Sequence, residues 1–259
     1  MDDMPRSREP ADTLQPFSVL RTTPHSYEKA PDGRNAMKAH YPQGSYTFTH
    51  SPQGGFSFYT HGHSSVNLAD AKEATFGYAA YVPNGFAFNK GGKLPGFYGG
   101  DNDNEATNCS GGRRSDACFS ARLMWRTDGA GELYTYLPPD QSANEKICSV
   151  EPFSECNDTY GASIGRGAFT FPRGQWATVA QRVRLNDIGQ SNGELELWVN
   201  GKSVISVKGL VLRVRNAGRL RGIQFQTFFG GYSSQSSWAS PETQDAYFSD
   251  FSVAVTQSL

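Results

Sequence analysis

Two neighbouring segments, Cys118–Arg126 and 132–137, carry the residues best suited to chemistry. Both alternate apolar with polar residues, and successive side chains of a β-strand point to opposite faces of its sheet. One face would be apolar, while the other would carry Arg122, Tyr134 and Tyr136. A solvated face rarely needs two tyrosines beside an arginine. The pattern therefore predicts a β-hairpin with one core face and one face that binds a substrate.

The connection between the two segments, 127–131, has five residues and two glycines, which is typical of a hairpin loop. Directly opposed Cβ atoms in an antiparallel pair lie about 4.5–5.5 Å apart. An arginine on this hairpin would therefore stand beside one phenol and diagonal to the other. A symmetric closure predicts three cross-strand pairs: Arg126 with Glu132, Met124 with Tyr134, and Arg122 with Tyr136.

A single lysine, Lys93, stands in the glycine-rich stretch Gly91–Gly100 just before the hairpin. Glycine lets the backbone approach a ligand closely. Taken alone, the stretch is more typical of a turn with a solvated lysine. Its place next to the hairpin makes Lys93 a candidate for the same site.

The elements that must position these residues are all predicted to be strands. Apolar alternation bounded by Gly and Pro marks strands at 45–50, 55–61, 74–82, 119–126, 132–137, 175–185, 193–199, 222–229 and 246–255. A two-residue turn at 200–201 predicts a further strand that includes 204–207. No long segment has a helical period. This spacing predicts an all-β protein, a jelly roll or concanavalin-like sandwich of two antiparallel sheets with a concave substrate groove.

The chain has 259 residues, a length that a single β-sandwich domain can account for. We expect that domain to cover residues 17–259, after a polar, disordered leader at residues 1–16. No segment approaches the roughly 20 apolar residues that cross a bilayer as a helix. The net charge of −1 neither favours nor excludes a polyanionic partner, because the local field decides that.

The four cysteines favour two local disulfides, Cys109–Cys118 and Cys148–Cys156, because each pair is close in sequence and in a loop-like context. Zinc is the alternative, but neither pair has zinc-knuckle spacing or a nearby histidine. N-glycosylation tripeptides begin at Asn108 and Asn157. Together these features indicate a secreted protein. No apolar signal-peptide segment is visible at the amino terminus, so we expect it to have been removed.

Taken together, four segments resemble polysaccharide lyase family 14: Gly-Lys-Leu-Pro-Gly (92–96), Cys-Ser-Gly-Gly (109–112), Phe-Ser-Ala-Arg-Leu-Met-Trp-Arg (119–126) and Glu-Leu-Tyr-Thr-Tyr (132–136). The resemblance runs from about residue 46 to residue 255. It implies a β-jelly-roll enzyme that cleaves alginate or glucuronan by β-elimination. It also implies five catalytic residues: Lys93, Ser120, Arg122, Tyr134 and Tyr136.

The residue types at these positions suit that reaction. β-Elimination needs a cation to neutralise the uronate carboxylate, a base to remove the C5 proton and an acid to protonate the departing O4. Arg122 can hold a carboxylate bidentately, and Ser120 can donate a hydrogen bond to the substrate. Tyr134 and Tyr136 are candidates for base and acid, and a single tyrosine could serve both roles. Lys93 can neutralise the carboxylate or, if partly desolvated, transfer the proton itself, and the sequence leaves these roles open. The alternative is that the tyrosines only pack across the strands.

Further substrate contacts are predicted from weaker patterns. Gln224 and Gln226 alternate with apolar residues and could bind sugar hydroxyls, although exposed strand polarity explains them nearly as well. Trp238 could stack on a sugar ring or pin a loop. Arg126 shares the polar face of the hairpin and completes the predicted substrate-binding set.

We expect an anionic polysaccharide as partner, no nucleic acid, no membrane, and a monomer. No organic cofactor and no metal are expected, although the acidic segment 101–105 offers weak support for calcium. Two alternatives use the same fold. One is a carbohydrate-binding module without activity, and the other is a glycoside hydrolase that uses the carboxylates of Glu194 and Glu196.

Overall fold

The structure is a computed structural model that describes residues 14–231 and 236–259. Its strands are β1 (Ser26–Lys29), β2 (Asn35–Tyr41), β3 (Phe56–Thr60), β4 (Ala71–Tyr81), β5 (Gly91–Gly100), β6 (Cys118–Arg126), β7 (Ala130–Tyr136), β8 (Ala162–Thr170), β9 (Trp176–Arg184), β10 (Gly193–Val199), β11 (Lys202–Leu210), β12 (Arg219–Phe229) and β13 (Gln244–Ser258). Short helical segments occupy Leu68–Asp70, Asp103–Thr107, Thr127–Gly129, Ser142–Ser149 and Ser236–Trp238. Among these described helices, none has the length and apolar composition required to cross a membrane.

The strands form two antiparallel sheets. One has seven strands in the order β1-β2-β13-β4-β9-β10-β11, and the other has six in the order β3-β12-β5-β6-β7-β8. The main core contains apolar side chains from both sheets, among them Phe76 and Val183 from the first and Phe97, Leu123 and Phe225 from the second. Burying such side chains is the chief favourable contribution to folding. The predicted all-β sandwich is confirmed.

The predicted hairpin is formed by β6 and β7, inside the six-stranded sheet. Leu123 and Leu133 belong to the main core, whereas Met124, Tyr134 and Tyr136 form a separate cluster on the other face. The assignment of side chains to the two faces is therefore confirmed.

The predicted register of this hairpin is wrong by two residues. Asp128 and Gly129 both adopt positive φ angles, 58° and 81°, and they turn the chain within Thr127–Gly129 rather than over five residues. An even shift keeps every side chain on its predicted face. The observed cross-strand pairs are Met124 with Glu132, Arg122 with Tyr134, and Ser120 with Tyr136.

The stretch Gly91–Gly100, which alone is more typical of a turn, is strand β5 and lies between β12 and β6. Its pairing with β6 shifts between Leu94 and Phe97, so two residues of β5 stand opposite Arg122. Proline cannot donate to a ladder and is confined to such irregularities when it occurs inside a sheet, which explains Pro95. The bulge reverses the alternation, and Leu94 and Phe97 both face the core.

A buried glutamine from the opposite sheet completes this bulge. Gln181 accepts a hydrogen bond from the Phe97 amide at 3.1 Å and donates one to the Ala121 carbonyl at 2.9 Å. Buried backbone groups are costly when they have no partner, so this side chain stabilises the irregular pairing. Gly96 is required at the same place, because a Cβ atom there would lie 2.2 Å from the Ala121 oxygen. Both residues therefore position the neighbouring Arg122.

Other strand predictions were wrong or incomplete. Segment 45–50 is not a strand, and Thr47 in its middle has a φ of 46°. Strands β1, β2 and β8 were not predicted. The alternation of β8 is obscured by Gly165 and Gly167, which have φ values of 64° and 87°.

Both predicted disulfides are present, Cys109–Cys118 and Cys148–Cys156. The first tethers the loop that enters β6, and the second tethers the segment that precedes β8. Residues 1–13 of the predicted leader lie outside the described residues. Leu14, which also belongs to it, is buried in the main core, and the Thr60 hydroxyl donates a hydrogen bond to its carbonyl.

Candidate active site

Arg122 lies at the centre of the polar face of β6 and is only 2% exposed. It donates a hydrogen bond to Gln226 at 2.9 Å, while its Nε is buried without a partner in the described structure. No carboxylate of the described residues forms an ion pair with it. Burial lowers the pKa of the Arg122 guanidinium, an effect that Tyr59, Tyr136 and Tyr134 oppose. Because arginine stays protonated in proteins, Arg122 is a buried and uncompensated cation.

Lys93 lies on β5 directly across from Met124 and is 5% exposed. Its Nζ contacts the Met124 sulfur and stands 3.5 Å from the centre of the Tyr134 ring. Within the described residues it has no ion pair. Burial lowers the pKa of the Lys93 amine well below its ordinary value, and the charges of Arg122 and Arg126 lower it further. The amine is therefore biased toward its neutral, proton-accepting form.

The two tyrosines lie on β7 with their rings edge to face, 5.8 Å apart between centres. The hydroxyl of Tyr134 accepts a hydrogen bond from the Gly161 amide, and that of Tyr136 accepts one from the Gly112 amide, both at 3.1 Å. Each amide belongs to a segment next to a disulfide. Burial raises the pKa of Tyr134 above its ordinary value, so this phenol holds its proton.

Two cavities open on either side of the tyrosine pair. The first, of about 170 Å³, is lined by residues that include Lys93 and Tyr134. The second, of about 460 Å³, is lined by residues that include Tyr136. Tyr160 and Gly161 line both. The segment after the second disulfide therefore separates the two spaces, and Lys93 shares its cavity with Tyr134 rather than with Tyr136.

The remaining predicted polar residues of the site, Ser120, Gln224 and Gln226, form hydrogen bonds within the protein. Ser120 is fully buried and donates a hydrogen bond to the Cys109 carbonyl at 2.8 Å. Gln224 is 2% exposed and donates to both the Tyr59 hydroxyl and Gln226. Gln226 also donates to the Ser57 hydroxyl. The two glutamines form a network that orients Arg122, so exposed strand polarity does not explain them, whereas Ser120 bonds to the backbone outside this network.

Trp238 and Arg126, two further predicted substrate contacts, both line the first cavity. The Arg126 guanidinium stands 5.7 Å from the centre of the Trp238 ring. The indole also packs against backbone, since a Cβ atom at Gly231 would lie 2.6 Å from it. Trp238 therefore both pins its loop and borders the cavity.

Sequence reasoning paired Arg126 with Glu132 but missed the larger ion-pair cluster to which they belong, beside this cavity. Glu132 is fully buried, and its carboxylate pairs with Arg126 at 2.7 Å and with Arg166 at 2.8 Å. The Ser163 hydroxyl donates a third interaction to it. Burial pushes the pKa of the Glu132 carboxyl upward, but the two guanidiniums and the hydroxyl outweigh it and leave the pKa lowered. Arg166 is the member that the sequence did not pair with Glu132, because it lies on β8, which was not predicted as a strand.

Two alternative sites from the sequence take other roles. Glu194 and Glu196 both accept hydrogen bonds from Arg182, at 2.7 and 3.0 Å, on the seven-stranded sheet and away from the tyrosines. The acidic segment 101–105 contributes Asn102 as a cap of the short helix Asp103–Thr107. Its carboxylates face guanidiniums in three pairs: Asp101 with Arg215, Asp103 with Arg221, and Glu105 with Arg113.

Within residues 14–231 and 236–259, no three His, Cys, Asp or Glu side chains converge in a way that could hold a metal ion. The two predicted glycosylation sites differ in position. Asn108 is exposed at the end of a helix. Asn157 lines both cavities and accepts hydrogen bonds from the Thr159 and Tyr160 amides, so a glycan there would extend across their openings.

The chain is similar to known proteins over most of its length. Among solved structures, the marine PL-14 alginate lyase from Aplysia kurodai is 34% identical, with a TM-score of 0.77 over 89% of this chain and 87% of that one. Alginate lyase vAL-1 from Chlorella virus is 26% identical, with a TM-score of 0.77 over 95% and 93%.

Among curated proteins, Exolysin from Paramecium bursaria Chlorella virus 1 is 26% identical over 211 residues, which are 75% of this chain and 31% of Exolysin. This chain thus spans about a third of the length of that relative. The family model described as Polysaccharide lyase 14 matches residues 29–251. The resemblance drawn from the motifs is confirmed, and the chain belongs to polysaccharide lyase family 14, a family of enzymes.

Proposed function

We propose that this protein is a lyase that cleaves a β-1,4-linked polyuronate, polymannuronate or glucuronan, by β-elimination. The observation that carries the proposal is the meeting of a buried, unpaired Lys93 with the Tyr134 phenol and the Arg122 guanidinium on one face of three adjacent strands. Two similar structures are named alginate lyases, which supports a polyuronate as the substrate class.

Lys93 is the base in this proposal. A general base must be unprotonated at the working pH, and the lowered pKa of the Lys93 amine provides that form. Its contacts with a thioether and an aromatic ring, in place of a carboxylate, are what permit the shift. A lysine paired with an acid would instead stay charged.

The acid is one of the two tyrosines, with Tyr134 favoured because it lines the same cavity as Lys93. A hydroxyl that accepts a backbone N–H keeps its own proton available for donation. The same N–H then stabilises the phenolate that donation creates. The raised pKa of Tyr134 agrees with an acid and disagrees with a base.

Arg122 supplies the positive charge. A carboxylate next to C5 resists loss of the C5 proton, because negative charge accumulates on the same fragment. A buried guanidinium without an acidic partner can bind that carboxylate with little competition from water. Its Nε lacks a partner within the described structure but is buried, and Arg122 lines neither cavity, so the carboxylate would have to reach it between the neighbouring side chains.

The elimination balances with these groups alone. The Lys93 amine takes the C5 proton and becomes an ammonium. The electron pair of the C5–H bond forms the C4–C5 double bond, and the C4–O4 bond breaks. The departing oxygen takes a proton from the phenol, which becomes a phenolate. Exchange of one proton with water restores both groups, so the proposal needs no organic cofactor and no metal.

The placement of base and acid favours one stereochemistry. Lys93 lies over the Tyr134 ring, so the amine and the phenol approach a substrate from the same side. In β-D-mannuronate and β-D-glucuronate the C5 proton and O4 are on the same side of the sugar, whereas in α-L-guluronate they are on opposite sides. We therefore infer a preference for mannuronate or glucuronate polymers.

Secretion is part of the same proposal. Two disulfides and an exposed glycosylation tripeptide at Asn108 are typical of proteins that fold outside the reducing cytosol. We further propose that the protein acts as a monomer.

A panel of polymannuronate, polyguluronate and glucuronan tests the proposal. Elimination creates a conjugated unsaturated uronate, which absorbs in the ultraviolet, whereas hydrolysis does not. We expect absorbance to rise with polymannuronate or glucuronan and much less with polyguluronate. If no polymer gives unsaturated product from acid to alkaline pH, with or without calcium, the lyase proposal fails and a carbohydrate-binding module is the favoured alternative.

A further inference from the structure

The guanidiniums of Arg126 and Arg166 are held in matched positions by shared partners. Arg126 binds Glu132 through Nε and Nη2, and Arg166 binds it through Nε, each at 2.7–2.8 Å. Both also donate from Nη2 to the Ser163 hydroxyl, at 3.1 and 2.8 Å. The two side chains are 15% and 27% exposed. Neither Nη1 has a partner among the described residues, so each guanidinium is fixed along one edge and available along another.

One buried carboxylate therefore serves two cations that border the cavity. Arg126, Arg166 and Ser163 all line the same 170 Å³ space as Lys93 and Tyr134. Fixing a guanidinium in advance reduces the entropy that ligand binding would otherwise cost. Arginine is also well suited to planar recognition of a carboxylate.

An exposed aromatic ring stands beside this pair. Phe153 is 48% exposed, which is unusual for so large an apolar side chain, and the Arg166 guanidinium lies 4.8 Å from its ring centre. Its backbone is held in place, because its carbonyl accepts a hydrogen bond from the Arg166 amide at 2.7 Å and its loop is closed by the Cys148–Cys156 disulfide. An exposed ring on a tethered loop beside cations suits the apolar face of a charged sugar.

We propose that Arg126 and Arg166, positioned by Glu132, form a second carboxylate-binding subsite for the uronate next to the one that is cleaved, with Phe153 as its stacking surface. The proposal rests on the function proposed above. It assigns one cation, Arg122, to the reacting uronate and this guanidinium pair to its neighbour. In a polyuronate each residue carries a carboxylate, so a chain bound along this face of the sheet would offer one to each position.

Binding measured without turnover tests this subsite. The background is Lys93→Met, and the two ligands are a mannuronate tetrasaccharide and its carboxyl-reduced counterpart, measured by calorimetry. We expect Arg166→Gln to weaken binding of the acid about tenfold and to leave the reduced sugar unchanged, because a charged hydrogen bond of this kind contributes on that order. Arg215→Gln is the matched control, since Arg215 is 46% exposed and pairs with Asp101 and Asp116 instead.

Two further variants separate the stacking from the charge. Phe153→Ala should weaken both ligands equally, because stacking does not depend on the carboxylate. Glu155→Gln should strengthen binding of the acid alone, because Glu155 competes for Arg166 at 3.4 Å. Both side chains are exposed, so both variants should fold.

Equal loss of both ligands on Arg166→Gln, or no loss of either, would overturn the subsite. If the wild type forms unsaturated product but Arg166→Gln binds like its background, only the subsite is wrong. If the background binds neither ligand and the wild type forms no product, the proposed function fails as well.

Discussion

Two pairs of basic side chains share one face of the six-stranded sheet, and they differ in whether a carboxylate accompanies them. Lys93 and Arg122 have no acidic partner among the described residues, whereas Arg126 and Arg166 share the fully buried Glu132. Burying a charge without a partner is costly. Burial therefore favours the neutral form of Lys93 and leaves the Arg122 charge uncompensated at the place where chemistry is proposed. The second pair is stabilised by Glu132 and is proposed to bind the substrate.

The opposite sheet shows the same contrast in a stronger form. Arg182 pairs with three carboxylates, those of Glu73, Glu194 and Glu196. Arg122, on the sheet with the cavities, pairs with an uncharged glutamine. Arg182 is thus surrounded by carboxylates, whereas Arg122 has none. This is the pattern expected where a guanidinium must remain unpaired so that it can bind a substrate carboxylate.

The largest effect is expected at Lys93. If its neutral amine is the base, Lys93→Met and Lys93→Arg should both reduce kcat by about 10²–10⁴-fold, because arginine cannot accept the proton. Lys90→Met is the matched control, since Lys90 is exposed and contacts Ser237. Initial rates of ultraviolet absorbance measure the effect. Substantial activity in Lys93→Arg would mean that this position needs only a cation, and the contrast between the two pairs would lose its basis.

Arg122 and Arg126 should separate activity from stability. Arg122→Gln should reduce kcat by about 10²–10³-fold, since it removes the charge that faces the reacting carboxylate. It should leave the melting temperature unchanged or raised, because no buried acid loses a partner.

Arg126→Gln should instead lower the stability of the folded protein. It leaves Glu132 with Arg166 and Ser163 only, and we expect a loss of about 1–3 kcal/mol in the free energy of unfolding. Chemical denaturation of both variants measures the difference. Equal destabilisation by the two substitutions would contradict the distinction between uncompensated and compensated cations.

The tyrosines should show a smaller loss of activity. Tyr134→Phe and Tyr136→Phe each remove one hydroxyl with little change in packing, and at least one should reduce kcat about 100-fold. We expect Tyr134→Phe to have the larger effect, because Tyr134 shares the cavity of Lys93. If both variants keep near wild-type rates, neither phenol donates the proton.

The smallest expected effect is on the pH dependence of the stability of the folded protein. Folding lowers the pKa of Lys93, so between that lowered value and the unfolded value of about 10.4 the unfolded chain binds more protons. Lys93 therefore costs the folded state no stability above about pH 10.4, and it destabilises the folded state increasingly as pH falls below that value.

Lys93→Met should consequently be more stable than the wild type at neutral pH, and the difference should shrink as pH rises toward 10. Thermal unfolding at several pH values measures this, with Lys90→Met as control for the loss of a lysine. A difference that is constant with pH would contradict the shift.

The alternation of residues predicted the two faces of the β6–β7 hairpin, because a strand's period of two is a local property. It did not predict the register, which depends on the left-handed conformations of Asp128 and Gly129. Lys93, Arg122 and the tyrosines were identified as candidate catalytic residues from the motif resemblance together with that alternation. The roles of base and acid could not be separated, because they depend on burial.

Strand β5 and the Glu132–Arg166 ion pair could not be predicted from the sequence, for a different reason. Glycine is required at position 92 of this strand, because a Cβ atom there would lie only 2.1 Å from the Trp125 ring. The Glu132–Arg166 pair joins residues 34 positions apart, on strands β7 and β8. Contacts of this kind arise from tertiary packing, and no local pattern encodes them.

The protonation state of Lys93 is the central claim, and it can be measured directly. Lysines labelled with ¹³C at Cε can be titrated by NMR, with the Lys93 resonance assigned from its absence in Lys93→Met. We predict a midpoint well below the ordinary lysine value of about 10.4, with the amine largely neutral where the enzyme is most active. A midpoint at or above that value would show a charged amine and would contradict Lys93 as the base.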